Sequence, residues 1–297
     1  MRPAGVPAPL LVLAAVASVQ SGAAIATRLF PVAGPGGTVL LRLGLSAVVM
    51  VVLARPRVSG RSRGDLLLVA GFGLVLAAMN AIFYVAIDRI PLGVAVTVEF
   101  IGPLGVAVGG SRRGLDLLWV AFAAVGVVLL TSGGGHTDVL GLALAFVAGL
   151  FWAGYILLSK RVGTVFPGAS GIALALAVGT VAVAPFGIVD GGGALLRPTV
   201  VGRGAAVAAL SSAVPYTLEL FALRRLRASV FGVLMSLEPA FAALSGLLFL
   251  GQDLRVREWV AVGCVMVASV GATRSGGGDV PVEPGATPTE VVAAVDR

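Results

Sequence analysis

Apolar residues run along most of this chain in stretches of about 17 to 22, interrupted by short Gly, Pro and Arg punctuation. Each stretch is long enough to cross a hydrocarbon core of ~30 Å as a helix. The pattern predicts ten spans, near residues 8–27, 36–54, 66–87, 91–110, 115–132, 138–158, 168–188, 204–223, 228–250 and 257–273. The expected fold class is therefore an all-α integral membrane protein with ten transmembrane helices.

One stretch returns in variant form. Shifting the numbering by 136 lays Asn80 to Gly109 without gaps on Tyr216 to Ser245, matching Ala86 with Ala222, Arg89 with Arg225, Val94 with Val230, Pro103 with Pro239 and Ala107 with Ala243. Both places read as two apolar runs joined around arginine. A duplication follows, with repeats at 8–132 and 138–273 and a tail at 274–297, rich in Gly, Pro and acid, that is expected to be disordered and cytoplasmic. Five spans are an odd number, so the second repeat must enter the membrane from the opposite side. The two five-helix repeats are inverted.

Composition supports a lipid solvent, since 12% of residues are charged against roughly 25% in soluble domains. The formal charge of +7 raises the question of nucleic acid, but the basic residues are scattered through interhelical loops, so no nucleic-acid partner is expected. They report orientation instead. With both termini in the cytoplasm, Arg2, Arg55, Arg57, Arg61, Arg63, Arg112, Arg113, Lys160, Arg161, Arg224, Arg225, Arg227 and Arg274 fall inside, against Arg28, Arg89, Arg197, Arg203, Arg255 and Arg257 outside. The lone cysteine, Cys264, excludes an intramolecular disulfide. The first 26 residues also have the features of a signal peptide, whose removal would leave nine spans and break the duplication.

Polar residues inside the spans mark the candidate chemistry, because each needs a partner or a cavity. In the first span Ala14, Ser18, Gly22 and Ala26 form a small-residue ridge for close helix approach, and Gln20 either bonds a neighbouring helix or lines a cavity. Arg42 in the second span either snorkels outward or meets a buried acid. Asn80 and Tyr84 share one face of the third span, and Trp152 and Tyr155 one face of the sixth; core contact and cavity lining remain open for both pairs. Gly171, Ala175 and Gly179 prepare the seventh span for close contact. Glu219 lies near Arg224 and Arg225, which predicts an interfacial ion pair. His136 has no second His or Cys nearby, so no metal site is expected.

Glu99 and Glu238 are the principal candidates. A charge at mid-bilayer costs roughly 2.5 to 3.5 kcal/mol on insertion scales, so these acids should face the bundle or water. Pro103 cannot donate to the carbonyl of Glu99, which frees a backbone acceptor beside the side chain. Glu238 directly precedes Pro239. Such carboxyls can take up and release protons as access alternates, or can merely join helices. The shift pairs Glu99 with Met235, so the two acids need not act alike. No P-loop, hydrolase serine elbow or metal-spaced His cluster is present, so an enzyme is not expected, no cofactor is implied, and energy would come from gradients.

The segments ASVQSGAAIATRLFPVAG, LLRLGLSA, RIPLGVAVTVEFIGPLGVAV, FWAGYILLSKRVG, VPYTLELFALRRL and FGVLMSLEPAFAALSGLLFLGQ resemble an EamA-type member of the drug/metabolite transporter superfamily. EFIGP and MSLEPA point more narrowly to its threonine/homoserine exporter branch. The resemblance, which runs to about Thr273, implies two halves around a central cavity through which small metabolites leave the cytoplasm. Arg42 matches the family's second-span arginine, and the seventh span has no counterpart. The reading is an inner (plasma) membrane secondary exporter of small amino acids such as threonine or homoserine, coupled to protons. Gln20, Arg42, Asn80, Tyr84, Glu99, Trp152, Tyr155 and Glu238 form its substrate or proton pathway. A multidrug exporter of the same fold and a membrane sensor or assembly factor stand as alternatives.

Overall fold

The computed structural model describes residues 7–109, 115–131, 138–223, 225–226 and 228–276, and every regular element among them is helical. His136, Arg112, Arg113, Arg224, Arg227 and the tail beyond residue 276 lie outside the described residues. The first half holds α1 (Ala8–Thr27), α2 (Phe30–Ala54), α3 (Arg63–Arg89), α4 (Leu92–Glu99), α5 (Ile101–Gly109) and α6 (Leu115–Thr131). The second holds α7 (Val139–Val165), α8 (Ser170–Gly191), α9 (Pro198–Ala208), α10 (Val214–Leu223), α11 (Ala228–Met235), α12 (Glu238–Leu250) and α13 (Val256–Gly276).

Eight helical stretches are long and apolar enough to cross a membrane, with Leu117–Leu130 in α6 shorter. The expected eighth span is divided between α9 and α10 by a π turn at Ala209–Ala213. The exterior suits lipid: Val52, Leu67, Val181 and Leu248 are 63%, 73%, 74% and 75% exposed, the reverse of a water-facing surface.

Local chemistry sets several helix ends. Ser62 and Asp65 form a reciprocal capping box at the start of α3, and the Asp138 side chain accepts from Gly141 N at the start of α7. Within α2, Gly34 adopts φ 64° and ψ 166°, a break that glycine permits ahead of Pro35. The helix restarts at Gly36, whose N–H donates to Asp190 Oδ2 of α8 at 2.7 Å. A side chain from another helix thus supplies the cap.

The bundle is organised by close pairs. α2 runs along α8, α6 along α13, and α4 across α12, while α3 lies against α7 as α1 lies against α9, the π turn and α10. Small residues permit these approaches. A Cβ on Gly73 would stand 2.7 Å from Ala175 O, so α3 meets α8 on the predicted small-residue face. The α1 ridge receives the π turn: Ser18 donates to Leu210 O at 2.7 Å, and Ser211 Oγ sits against Gly22.

The fourth and ninth expected spans are each broken. α4 and α5 part at Phe100; α11 and α12 part at Ser236 and Leu237. Adding 136 to the bounds of α4, Leu92 and Glu99, gives Ala228 and Met235, the bounds of α11.

Candidate functional site

Both breaks carry an acid. Glu99 closes α4 and Pro103 follows in α5, so the Glu99 carbonyl loses its donor four residues on. The space beside that carbonyl is opened by Gly149 of α7, where a Cβ would lie 2.5 Å from Glu99 O. Gly102 approaches equally closely, since its Cβ would fall 1.8 Å from Gly149 O. Glu238 begins α12 with Pro239 behind it, and Ser236 in the break shares a 2.7 Å hydroxyl hydrogen bond with Ser269 of α13. Glu99 is 7% exposed and Glu238 6%, so neither faces lipid.

Arg42 points inward. Its guanidinium donates to Tyr84 Oη at 3.1 Å, with Cζ 5.5 Å from the ring centroid, and it acts electrostatically on Glu99. Its hydrogen bond to the fully buried Tyr84 turns Arg42 into the bundle. Glu99 also lies within electrostatic range of Glu238, and Glu238 within range of Glu219. Arg42 and Tyr84 on the adjoining α2 and α3, with the two acids on the crossing helices α4 and α12, make up a charged centre.

The remaining expected site residues divide. Gln20 is buried on α1. Asn80 donates its amide to Leu76 O of its own helix at 2.8 Å. Trp152 meets Phe100 edge-on, 5.5 Å between centroids at 83°, and so braces the break beside Glu99. Tyr155 stacks on Phe72 at 5.0 Å and lines a small cavity of about 60 Å³ with Val162, Phe166 and Gly171. It belongs to that aromatic group.

Glu219 was expected to pair with Arg224, which lies outside the described residues, or with Arg225. It joins the acids because α10 and α12 both lie on α1. Only that tertiary contact reveals it; nothing in its local sequence does.

At the end of the bundle where α3 meets α4, Arg89 Nε pairs with Asp138 Oδ2 at 2.9 Å. The Gly141 N–H above all, helped by Arg89, holds the Asp138 carboxyl below the ordinary aspartate range against an opposing effect of desolvation. Gln252 Oε1 accepts from Leu92 N at 2.9 Å, and Arg28 donates to Phe249 O. The two broken helices are treated unequally along their length. All eight residues of α4 are buried but only Gly102 and Leu104 of α5; α12 buries six residues, and none of Val230 to Met235 in α11 is buried.

A membrane bundle whose charged centre lies at the breaks of two discontinuous helices has the construction of a secondary transporter. The sequence profile of the EamA-like transporter family matches residues 139–274. Threonine/homoserine exporter RhtA of Salmonella typhimurium (strain SL1344) is 42% identical over 270 residues, covering 89% of this chain and 90% of that protein. Its namesake in Escherichia coli (strain K12) is 41% identical over the same shares. An uncharacterized transporter, YwfM of Bacillus subtilis, is 25% identical over 202 residues, 65% of this chain and 68% of that protein. A solved structure titled only "Crystal structure of protein" shares the fold at TM-score 0.62 and 18% identity, covering 90% of this chain and 96% of its own. This chain belongs to the EamA-like transporter family, in the branch of the threonine/homoserine exporters.

Proposed function

We propose that the chain is a secondary-active exporter of small amino acids such as threonine or homoserine, set in the inner (plasma) membrane and coupled to protons. The observation that carries the reading is the 41–42% identity, over 89% of the chain, to proteins named threonine/homoserine exporters. The charged centre suits such a substrate. A zwitterion offers an ammonium to Glu99 or Glu238 and a carboxylate to Arg42, and a carboxyl that gains and loses a proton can link proton entry to substrate exit.

Ten crossings in two inverted repeats provide the alternation. Support comes from the 136-residue shift that carries α4 onto α11, and from the matched contacts of α3 with α7 and of α1 with α9 and α10. The short α6 and the interrupted α9 and α10 supply the fifth and eighth crossings. Both termini lie in the cytoplasm, which puts the Arg89, Asp138 and Gln252 end outside.

Overproducing cells and deleted cells should differ in extracellular threonine and homoserine by metabolite profiling, and overproduction should raise tolerance to both amino acids. Equal levels of both, alongside faster loss of an aromatic cation, would favour a multidrug exporter.

A further inference from the structure

Among the described residues the two broken helices pack closely on one another at one end only. α4 lies across α12, and the contact is tight because residue 93 is glycine: a Cβ there would fall 2.6 Å from Ala243 Cα and 2.8 Å from its Cβ. Gln252 ties the same end by accepting from Leu92 N. Among the described residues α5 and α11, the other halves of these helices, make no comparable contact; α5 lies on α7 and α13, and α11 on α1 and α13. Gly105 and Gly109 of α5 have open space where a Cβ would project. Among the described residues the charged centre is thus packed more closely toward the Gln252 end than toward the other.

The internal repeat converts this contact into its counterpart. Under the 136-residue shift Gly93 becomes Ser229 and Ala243 becomes Ala107, both inside the range over which the shift holds. In an inverted repeat, exchanging the conformations of the halves replaces each contact by its shifted equivalent. We infer that Ala107 of α5 and Ser229 of α11 meet to close the cytoplasmic side when the Gly93 to Ala243 contact opens, and that the serine makes this second closure the poorer one.

The inequality follows from size. Glycine lets two backbones approach within a distance that any Cβ forbids, and serine adds both a Cβ and a hydroxyl at the matching place. The closed-outside arrangement is therefore the better packed of the two, and the unloaded protein rests open to the cytoplasm, where an exporter collects its cargo. This inference rests on the inverted-repeat exporter reading of the preceding subsection.

Cysteine pairs test it in the full chain after Cys264→Ser. A Cβ at Gly246 would lie 3.7 Å from Leu92 Cβ, close to the ~3.8 Å typical of disulfides, so Leu92→Cys with Gly246→Cys should cross-link readily and stop threonine transport until reduced. Ala107→Cys with Ser229→Cys should transport normally when reduced and cross-link slowly when oxidised. Adding Gly93→Ser, which obstructs the outer contact, should speed that second cross-link by about fivefold or more. Should Gly93→Ser fail to fold, Ser229→Gly alone should raise outside labelling of a Cys at Gln252 by a similar factor.

Transport that continues through the Leu92 to Gly246 cross-link would overturn the alternating reading itself. A functional Ala107 to Ser229 pair that never cross-links, or that ignores Gly93→Ser, would overturn this inference and leave the exporter standing. Unchanged labelling in Ser229→Gly would do the same.

Discussion

Gly102→Ala is the smallest change that should disturb the acid at the α4 break. A Cβ at residue 102 would stand 1.8 Å from Gly149 O, 2.5 Å from its carbonyl carbon and 3.0 Å from its Cα. All three are backbone atoms, so no rotamer change relieves the overlap. Moving the first contact from 1.8 Å to 3.0 Å requires α5 to retreat from α7 by about 1.2 Å, and Glu99, three residues earlier, must move with it. Overpacking of this kind costs about 1 to 3 kcal/mol, which is roughly 5- to 150-fold in the population of the competent arrangement. Gly105→Ala provides the control, because it makes the same chemical change on the same helix where nothing lies within 4 Å. Initial efflux of labelled threonine from loaded proteoliposomes, with thermal unfolding of the solubilised protein, reads both. Gly102→Ala should lose at least about fivefold in rate and melt earlier, while Gly105→Ala should match the wild type. Equal behaviour of the two variants would refute the claim that this glycine contact sets the position of Glu99.

Glu99→Gln and Glu238→Gln keep the shape of each acid and remove its ionisation; at least one should abolish uphill export while leaving expression intact, and wild-type uphill rates in both would remove these acids from coupling. Asp138, whose carboxyl is held low, should contribute stability that is fully present above the ordinary aspartate value of ~3.9 and lost as pH falls below it. The melting-temperature gap between wild type and Asp138→Asn should accordingly stay constant from pH 5 to 7 and shrink under pH 4; a gap that grows on acidification would contradict the assignment. Tags after Asp65 and after Arg227 should report cytoplasm and tags near His136 and Asp253 the outside, and a shared side for Arg227 and His136 would end the inverted-repeat account.

Hydropathy made the helical class legible because a span needs only length and apolarity, and both survive in a single sequence. The breaks were foreshadowed less directly. Pro103 announced a free carbonyl at Glu99, and the structure places the helix end there, but the matching end at Met235 became visible only once α4 and α11 could be compared. Arg42 had two equally physical destinations, and its hydrogen bond to Tyr84 depends on how α2 meets α3, which no local pattern encodes. Glu219 shows the same dependence on how helices meet. Nearby arginines in the sequence suggested a pair, and only the shared contact of α10 and α12 with α1 brings it near Glu238 as well. Tyr155 shares a helix with Trp152, yet Trp152 meets Phe100 at the break while Tyr155 stacks on Phe72, because the three-residue spacing also separates them along the helix by ~4.5 Å.

Reconstituted exchange tests amino-acid export most directly. Proteoliposomes containing only this protein, loaded with labelled threonine or homoserine, are diluted into buffer made more acidic than the lumen. The account predicts rapid release of both amino acids, slowed when an uncoupler collapses the pH difference and slowed further in Glu99→Gln or Glu238→Gln. Release of neither amino acid, at rates no faster than from protein-free vesicles, would contradict it.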